Sequence, residues 1–441
     1  MSWLRKKLLQ GSIGSLLVNV ARAGLAFILA VVLARFMGPS EYGSYSFAFA
    51  IIMLVAIPAQ MGIPQLIVRE TAKNQASQDW GLMRGLWRWG NYAVAGFSVL
   101  GVLFAIVVVV LLMQLDNNAG RLTIIATGIA LIPLIALTAV RSSCLRGLHR
   151  VVIGQLPDSV LRPIIFLGMI GGYFITPVSG AFYSAESVMG MHVIAAACSF
   201  IIASLMLLKI KPKELSQVTA LRYESKAWLK SVIPLAMITG LHLINNYADL
   251  VILGTFRPDE EVGVYRAVFQ VALLVVFGLQ AINQVLHPHF ARIYTVRDMQ
   301  KLQRLVTLSA RGILMLALPP ALILVFFGGP LMEWVFGYQY KSGALALSIL
   351  VIGQLANAAF GSVGALLNMT GHERDTVRGL SIAISVNILL NFILIPLWGM
   401  EGAAIATSTS FIIWNFILRK AVLKRLSIES SALGYSKRKF L

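Results

Sequence analysis

The chain has 441 residues, of which 58% are hydrophobic and only 12% charged, and its mean hydropathy is +0.80. An ordinary soluble domain is about a quarter charged, and a chain of this length cannot hide so much apolar surface inside water-soluble cores. The composition therefore argues against a secreted, disordered or nucleic-acid-binding protein and for an all-α polytopic membrane protein.

Two cysteines, Cys144 and Cys198, cannot build a disulfide scaffold, and the six histidines never approach metal-ligand spacing. No cofactor or metal is expected. The net charge of +19 reads as Lys and Arg retained on the cytoplasmic side to orient the helices, with no nucleic-acid partner.

The first residues mimic a signal peptide, with Arg5, Lys6 and Lys7 ahead of an apolar run. That run continues past Arg22 to Phe36, long enough to span, so cleavage is not expected. A span needs about 20 mostly apolar residues. On that rule twelve follow in order: 13–36, 43–67, 90–113, 121–141, 158–178, 188–208, 229–254, 264–287, 305–327, 344–367, 380–398 and 402–420. With both termini on one face, that face collects thirty Lys and Arg and the opposite face five: Arg35, Arg121, Arg257, Arg266 and Lys341. One misplaced span would destroy this asymmetry. The positive-inside rule thus predicts twelve spans with both termini cytoplasmic.

An internal repeat runs at an offset of 220. Leu33, Phe36, Glu41, Gly43, Tyr45 and Gln60 are matched by Leu253, Phe256, Glu261, Gly263, Tyr265 and Gln280. Six spans per half is an even number, so the halves are parallel repeats about an axis along the membrane normal. The expected division is an N-terminal six-helix bundle at 1–208, a cytoplasmic linker at 209–228, a C-terminal bundle at 229–420 and a basic tail at 421–441. Two such bundles around a central cavity suit a transporter that rocks to expose a site alternately to each side.

Polar residues inside spans locate the candidate site, because an intramembrane charge costs about 2.5–3.5 kcal/mol on insertion scales and must face protein or water. Arg22 lies about 14 Å into the first span at 1.5 Å per residue, with Asn19 on the same helix face. The seventh span carries His242, Asn245, Asn246 and Asp249 on one face. The eighth carries Gln280, Asn283, Gln284 and His287, the tenth Gln354 and Asn357, and the eleventh Asn387 and Asn391. These stripes predict a hydrated cavity between the halves. The Asn and Gln pairs can equally be interhelical hydrogen bonds. Asp249 reads either as a structural partner of Arg22 or Arg266, or as a proton- or cation-coupling carboxylate. His242 is the repeat counterpart of Arg22. Two cationic groups facing one axis suit an anionic headgroup, since Arg matches phosphate oxygens well.

No phosphate-binding loop, nucleophile elbow or His-Glu-x-x-His motif occurs, and every outer loop is short. A transporter, not an enzyme, is expected.

The stretch from Ala34 through Gly38-Pro39-Ser40-Glu41-Tyr42-Gly43 to Tyr45, followed by Gly62-Ile63-Pro64 and Val68-Arg69-Glu70, resembles the opening of bacterial polysaccharide-biosynthesis flippases of the Wzx type. Asp249 to Gly254 and Glu261 to Tyr265 resemble the same family's seventh-span pattern. Its superfamily also holds lipid II flippases and MATE multidrug exporters. The resemblance implies a flippase in the bacterial inner membrane. Its cargo would be an undecaprenyl-pyrophosphate-linked oligosaccharide, carried from the inner to the outer leaflet by alternating access for surface polysaccharide biosynthesis. Arg22 matches the family's cavity arginine. The partners implied are the lipid-linked oligosaccharide, the bilayer, a proton or sodium ion and a polysaccharide polymerase complex. The alternatives are a MATE-like cation-coupled small-molecule exporter, whose cavity should be acidic, and a membrane polymerase or ligase, which needs a sizeable outer loop.

Overall fold

The computed structural model describes residues 2–60, 62–115, 119–175, 184–217 and 220–432, and among them no strand occurs. The helices are α1 (Ser2–Val55), α2 (Ile57–Gln60), α3 (Ile63–Ala76), α4 (Trp80–Leu115), α5 (Ala119–Gly128), α6 (Leu131–Gly147), α7 (Val151–Leu156), α8 (Arg162–Ile175), α9 (Ala185–Ile210), α10 (Lys213–Gln217), α11 (Ser225–Phe256), α12 (Asp259–Ala272), α13 (Phe277–Thr295), α14 (Met299–Phe336), α15 (Ala344–Phe360), α16 (Val363–Met369) and α17 (Glu373–Leu426). Among the described residues ten continuous helical segments are long and apolar enough to cross a membrane, which makes this a multi-pass membrane protein.

Two of the helices, α1 and α17, have 54 residues each. Uninterrupted, each would reach about 80 Å, far beyond a hydrocarbon core of about 30 Å. Each is broken by a glycine with positive φ: Gly38 (φ 73°) and Gly399 (φ 53°). Only glycine enters that region without penalty, and Pro39 then starts the next helix where its missing N–H costs nothing. Length alone therefore counts ten segments among the described residues, and each of these glycines divides one of the two longest into a pair of helices.

Chain breaks inside the apolar segments keep their backbone groups satisfied. Pro157 opens a π-helical turn (Pro157–Leu161), and Ser199 Oγ donates to the Pro157 carbonyl at 2.8 Å. At Gly399, Arg257 Nε and Nη2 donate to the carbonyls of Ile395 (3.2 Å) and Pro396 (3.1 Å), while Glu261 Oε2 accepts from Met400 N (3.3 Å). A cation thus caps the helix end and an anion the next helix start, as the backbone dipoles require. Ser184 and Asp298 cap α9 and α14 in the ordinary way.

The chain folds as two compact units: Met1–Met37 with Ser44–Tyr247, and Gly38–Gly43 with Ala248–Leu441. In the first, the segment after α9 is docked, not free. Leu215 packs with Met83 and Leu148, and Arg222 bonds Asp79 (2.8 Å) and the Gly81 carbonyl (3.3 Å). In the second, a core of Phe290, Leu302, Leu366, Leu418 and Val422 gathers one end of α13, α14, α16 and α17. There the chain after α17 turns at Ser427 (φ 55°) and runs back across the bundle, burying Ile428 and Ser430.

Candidate functional site

Asp249, near the end of α11, is buried at 5% exposure. Its Oδ1 accepts from Asn391 Nδ2 at 2.7 Å. Its Oδ2 accepts from Tyr265 OH at 3.2 Å and from Thr407 Oγ1. Asn387 completes the cluster, its Oδ1 accepting from Asn391 Nδ2 at 3.0 Å. Helices α11, α12 and both halves of α17 each supply a member. Within the second unit no Lys, Arg or His forms an ion pair with Asp249 among the described residues, so Arg266 is not its partner there. Asn391 Oδ1 is buried without a hydrogen bond. Unpaired buried carboxylates are costly, and a cluster with a spare carbonyl oxygen beside one has the chemistry to hold a proton or a small cation.

The first unit holds a counterpart around the repeat mate of Tyr265. Tyr45 OH lies 2.7 Å from His192 Nδ1, both buried, and the His192 ring stacks on Phe166 and Phe49. The duplicated tyrosine thus serves an aromatic histidine cage in one unit and an acid–amide cluster in the other.

The remaining sequence candidates stand differently. Arg22, His242, Asn246 and Gln280 are exposed, and Asn19 and Asn245 are partly exposed. Asn19, Arg22, His242, Asn245 and Asn246 belong to the first unit and Gln280 to the second. None of the six makes a side-chain hydrogen bond or ion pair among the described residues. An exposed guanidinium in the middle of an apolar helix must meet water or a polar cargo, because lipid would not tolerate it. Gln354 and Asn357 instead tie helices together: Asn415 Nδ2 donates to Asn357 Oδ1 at 2.8 Å, and Asn357 Nδ2 to Gln354 Oε1 at 3.4 Å. Asn387 and Asn391 belong to the Asp249 cluster. Sequence reasoning did not place Tyr265 or Thr407 there. Tyr265 was visible only as a repeat match, and Thr407 is one small hydroxyl in a run of Ala, Thr and Ser that gives no signal.

Similarity to known proteins agrees with this architecture. The chain is 24% identical over 438 residues to a probable low-salt glycan biosynthesis flippase, Agl15, of Haloferax volcanii, covering 97% of this chain and 86% of that protein. It is 26% identical over 303 residues to the probable flippase AglR of the same organism, covering 66% of this chain and 59% of that one. Among solved structures, an inward-facing multidrug resistance MATE family transporter superposes with a TM-score of 0.77 at 13% identity, over 92% of this chain and 94% of that one. The lipid II flippase MurJ superposes with a TM-score of 0.71 at 16% identity, over 92% and 87%. These structural likenesses establish the fold. Residues 8–294 match the model of the family described as polysaccharide biosynthesis protein, and the chain belongs to that family.

Proposed function

We propose that this protein is a flippase for a lipid-linked oligosaccharide, moving an undecaprenyl-pyrophosphate-linked sugar from the inner to the outer leaflet of a bacterial cytoplasmic membrane, with both termini cytoplasmic. The observation that carries the reading is Arg22: exposed, inside an apolar helix, and without a partner among the described residues. A cargo that satisfies it is anionic and hydrogen-bonding, as a pyrophosphate is. His242, Asn19, Asn245 and Asn246 add donors in the same unit, and Gln280 in the other. The family match and the flippase names of Agl15 and AglR support a lipid-linked sugar as cargo.

Carrying a pyrophosphate through hydrocarbon unaided is prohibitive because its charge loses all solvation. A polar passage removes that cost without covalent chemistry, so the protein needs no catalytic residue. Alternating access then shows the headgroup first to one side and next to the other while the lipid tail stays in the bilayer. An inside-negative potential favours outward movement of each negative charge by about 2.3 kcal/mol per 100 mV. Inward movement of a proton or sodium ion through the Asp249 cluster adds to that drive. A drug exporter for cations is disfavoured, since the exposed intramembrane charge is Arg and the acid is buried.

The test is complementation of a flippase-null strain. Wild type restores surface polysaccharide, Arg22→Lys restores part of it, and Arg22→Ala restores little despite normal membrane levels. Full restoration by Arg22→Ala removes this arginine from the mechanism. Drug resistance without polysaccharide rescue removes the flippase reading itself.

A further inference from the structure

A cavity of about 390 Å³ opens in the first unit, at the ends of α4, α6 and α9 beside α10. Its lining includes Arg84, Arg141 and Lys211, and no Asp or Glu. Arg141 lies six residues before the end of α6, about 9 Å inside the helix, and Ser204 lies a similar depth inside α9. Arg84, Lys211 and Ser216 stand at the mouth. The Arg141 guanidinium is fixed rather than free-swinging. Its Nη1 donates to Asn91 Oδ1, and its plane lies over the Phe200 ring at 5.6 Å from the centroid. No carboxylate pairs with Arg141 among the described residues. Ser204 Oγ, on the same wall, is buried with no hydrogen-bond partner. A half-buried, positioned cation beside an unused buried hydroxyl costs stability unless something fills the site.

We infer that this pocket binds the phosphate group of an anionic lipid. Guanidinium, ammonium and hydroxyl groups lining one pocket match the oxygens of a phosphate ester, and basic pockets between membrane helices are where such headgroups lodge. A lipid fits better than a free phosphate because the pocket continues into an apolar face. Leu208 lines it, and Ile194, Ile201, Leu205 and Leu208 are 52–58% exposed at helical spacing along α9. An acyl or prenyl chain would lie along that strip while its head enters the pocket. All three cations belong to the face that the charge distribution assigns to the cytoplasm. The site is separate from Arg22 and from the Asp249 cluster and does not depend on the flippase reading.

The test uses the purified full-length protein in detergent, probed by native mass spectrometry with phosphatidylglycerol and phosphatidylethanolamine. Wild type holds one phosphatidylglycerol about tenfold more tightly than any phosphatidylethanolamine. The double variant Arg141→Gln, Lys211→Gln loses that preference, and Lys301→Gln, an exposed cation in the other unit, keeps it. Ser216→Glu, which places a carboxylate at the exposed mouth and leaves the buried wall untouched, lowers retention at least fivefold and decides the matter if the double variant misfolds. Displacement of the lipid by millimolar inorganic phosphate would assign the site to free phosphate and overturn the lipid assignment. Equal retention of the two lipids by wild type, or undiminished phosphatidylglycerol in Ser216→Glu, overturns the proposal.

Discussion

Gly43 and Gly263, 220 residues apart and equivalent in the repeat, lie against each other. A methyl group on Gly43 would overlap the Asp259 carbonyl and sit 2.9 Å from Gly263 N, and one on Gly263 would overlap the Pro39 carbonyl and sit 3.0 Å from Gly43 N. Both glycines fall in the second compact unit. The repeat therefore supplies both halves of a backbone-to-backbone crossing, where absent side chains let two helices touch. Gly43→Ala and Gly263→Ala should each cost about 1–3 kcal/mol through overpacking. Gly24→Ala, with nothing within 4 Å of the added atom, should be neutral. Thermal denaturation in detergent reads the difference. An unchanged melting temperature for Gly263→Ala would mean that the crossing can open at no cost.

The strap at 427–432 is held by charge as well as burial. Arg419 Nε and Nη2 donate to the two Glu429 carboxylate oxygens, both at 2.8 Å. Gln303 exchanges two bonds with the Glu429 backbone, and Arg311 Nε reaches the Ala432 carbonyl at 3.3 Å. Burial pushes the Glu429 carboxyl up, but hydrogen bonds from Arg419 and Ser431 outweigh it and hold the group below its ordinary value. A depressed carboxyl stabilises the fold above its unfolded-state pKa, and that stability is lost as pH falls through the folded-state value. The strap should therefore be protease-resistant at neutral pH and cleaved more readily in acid, as pH falls below the ordinary carboxylate range. Glu429→Gln should loosen it at neutral pH by about 1–2 kcal/mol, since charge-assisted bonds are lost, and should flatten the acid dependence. Limited proteolysis across a pH series measures both.

Asp249→Asn keeps the shape of the buried cluster and removes the carboxylate proposed to carry the coupling ion. Transport of a fluorescent lipid-linked sugar in proteoliposomes should fall about tenfold or more, and the residual rate should no longer respond to a proton or sodium gradient. Thr407→Val, which removes one donor to the carboxylate, should weaken the gradient response without abolishing it. Full, gradient-sensitive transport by Asp249→Asn would exclude this carboxylate from coupling.

Much of this architecture is legible in the sequence because lipid imposes a simple rule: long apolar helices with polar exceptions. Arg22, His242 and Asp249 stand out for that reason. What the exceptions do is set by packing that sequence spacing does not reveal. Asn357 and Asn391 look alike in sequence, yet one ties α15 to α17 and the other serves Asp249. The basic pocket is hidden because Arg84, Arg141 and Lys211 each pass for an ordinary orienting charge, and only the fold brings them to one wall. The strap is hidden because Ser427 to Ala432 carries no periodic pattern. Its order comes from Arg419 ten residues before Glu429 and from side chains more than a hundred residues earlier.

The repeat also permits a comparison of one substitution in two settings. Tyr45→Phe removes the hydroxyl that meets His192 Nδ1, leaving a buried ring nitrogen to lose its partner at a cost of about 1–3 kcal/mol. Because the His192 ring stacks on Phe49 and Phe166, that loss should appear as a lower melting temperature with the transport rate and its gradient response intact. Tyr265→Phe removes a donor from Asp249 Oδ2, so the carboxylate keeps Thr407 and Asn391 but is stabilised less as an anion. Its transport should respond less to a proton or sodium gradient, because the carboxylate has lost one of its donors. The two tyrosines occupy equivalent repeat positions, so a shared folding defect would move both variants alike. Divergent readouts, stability for Tyr45 and gradient response for Tyr265, are expected if duplication has been followed by specialisation of one unit for ion coupling. An equally weakened gradient response in both variants would refute that division.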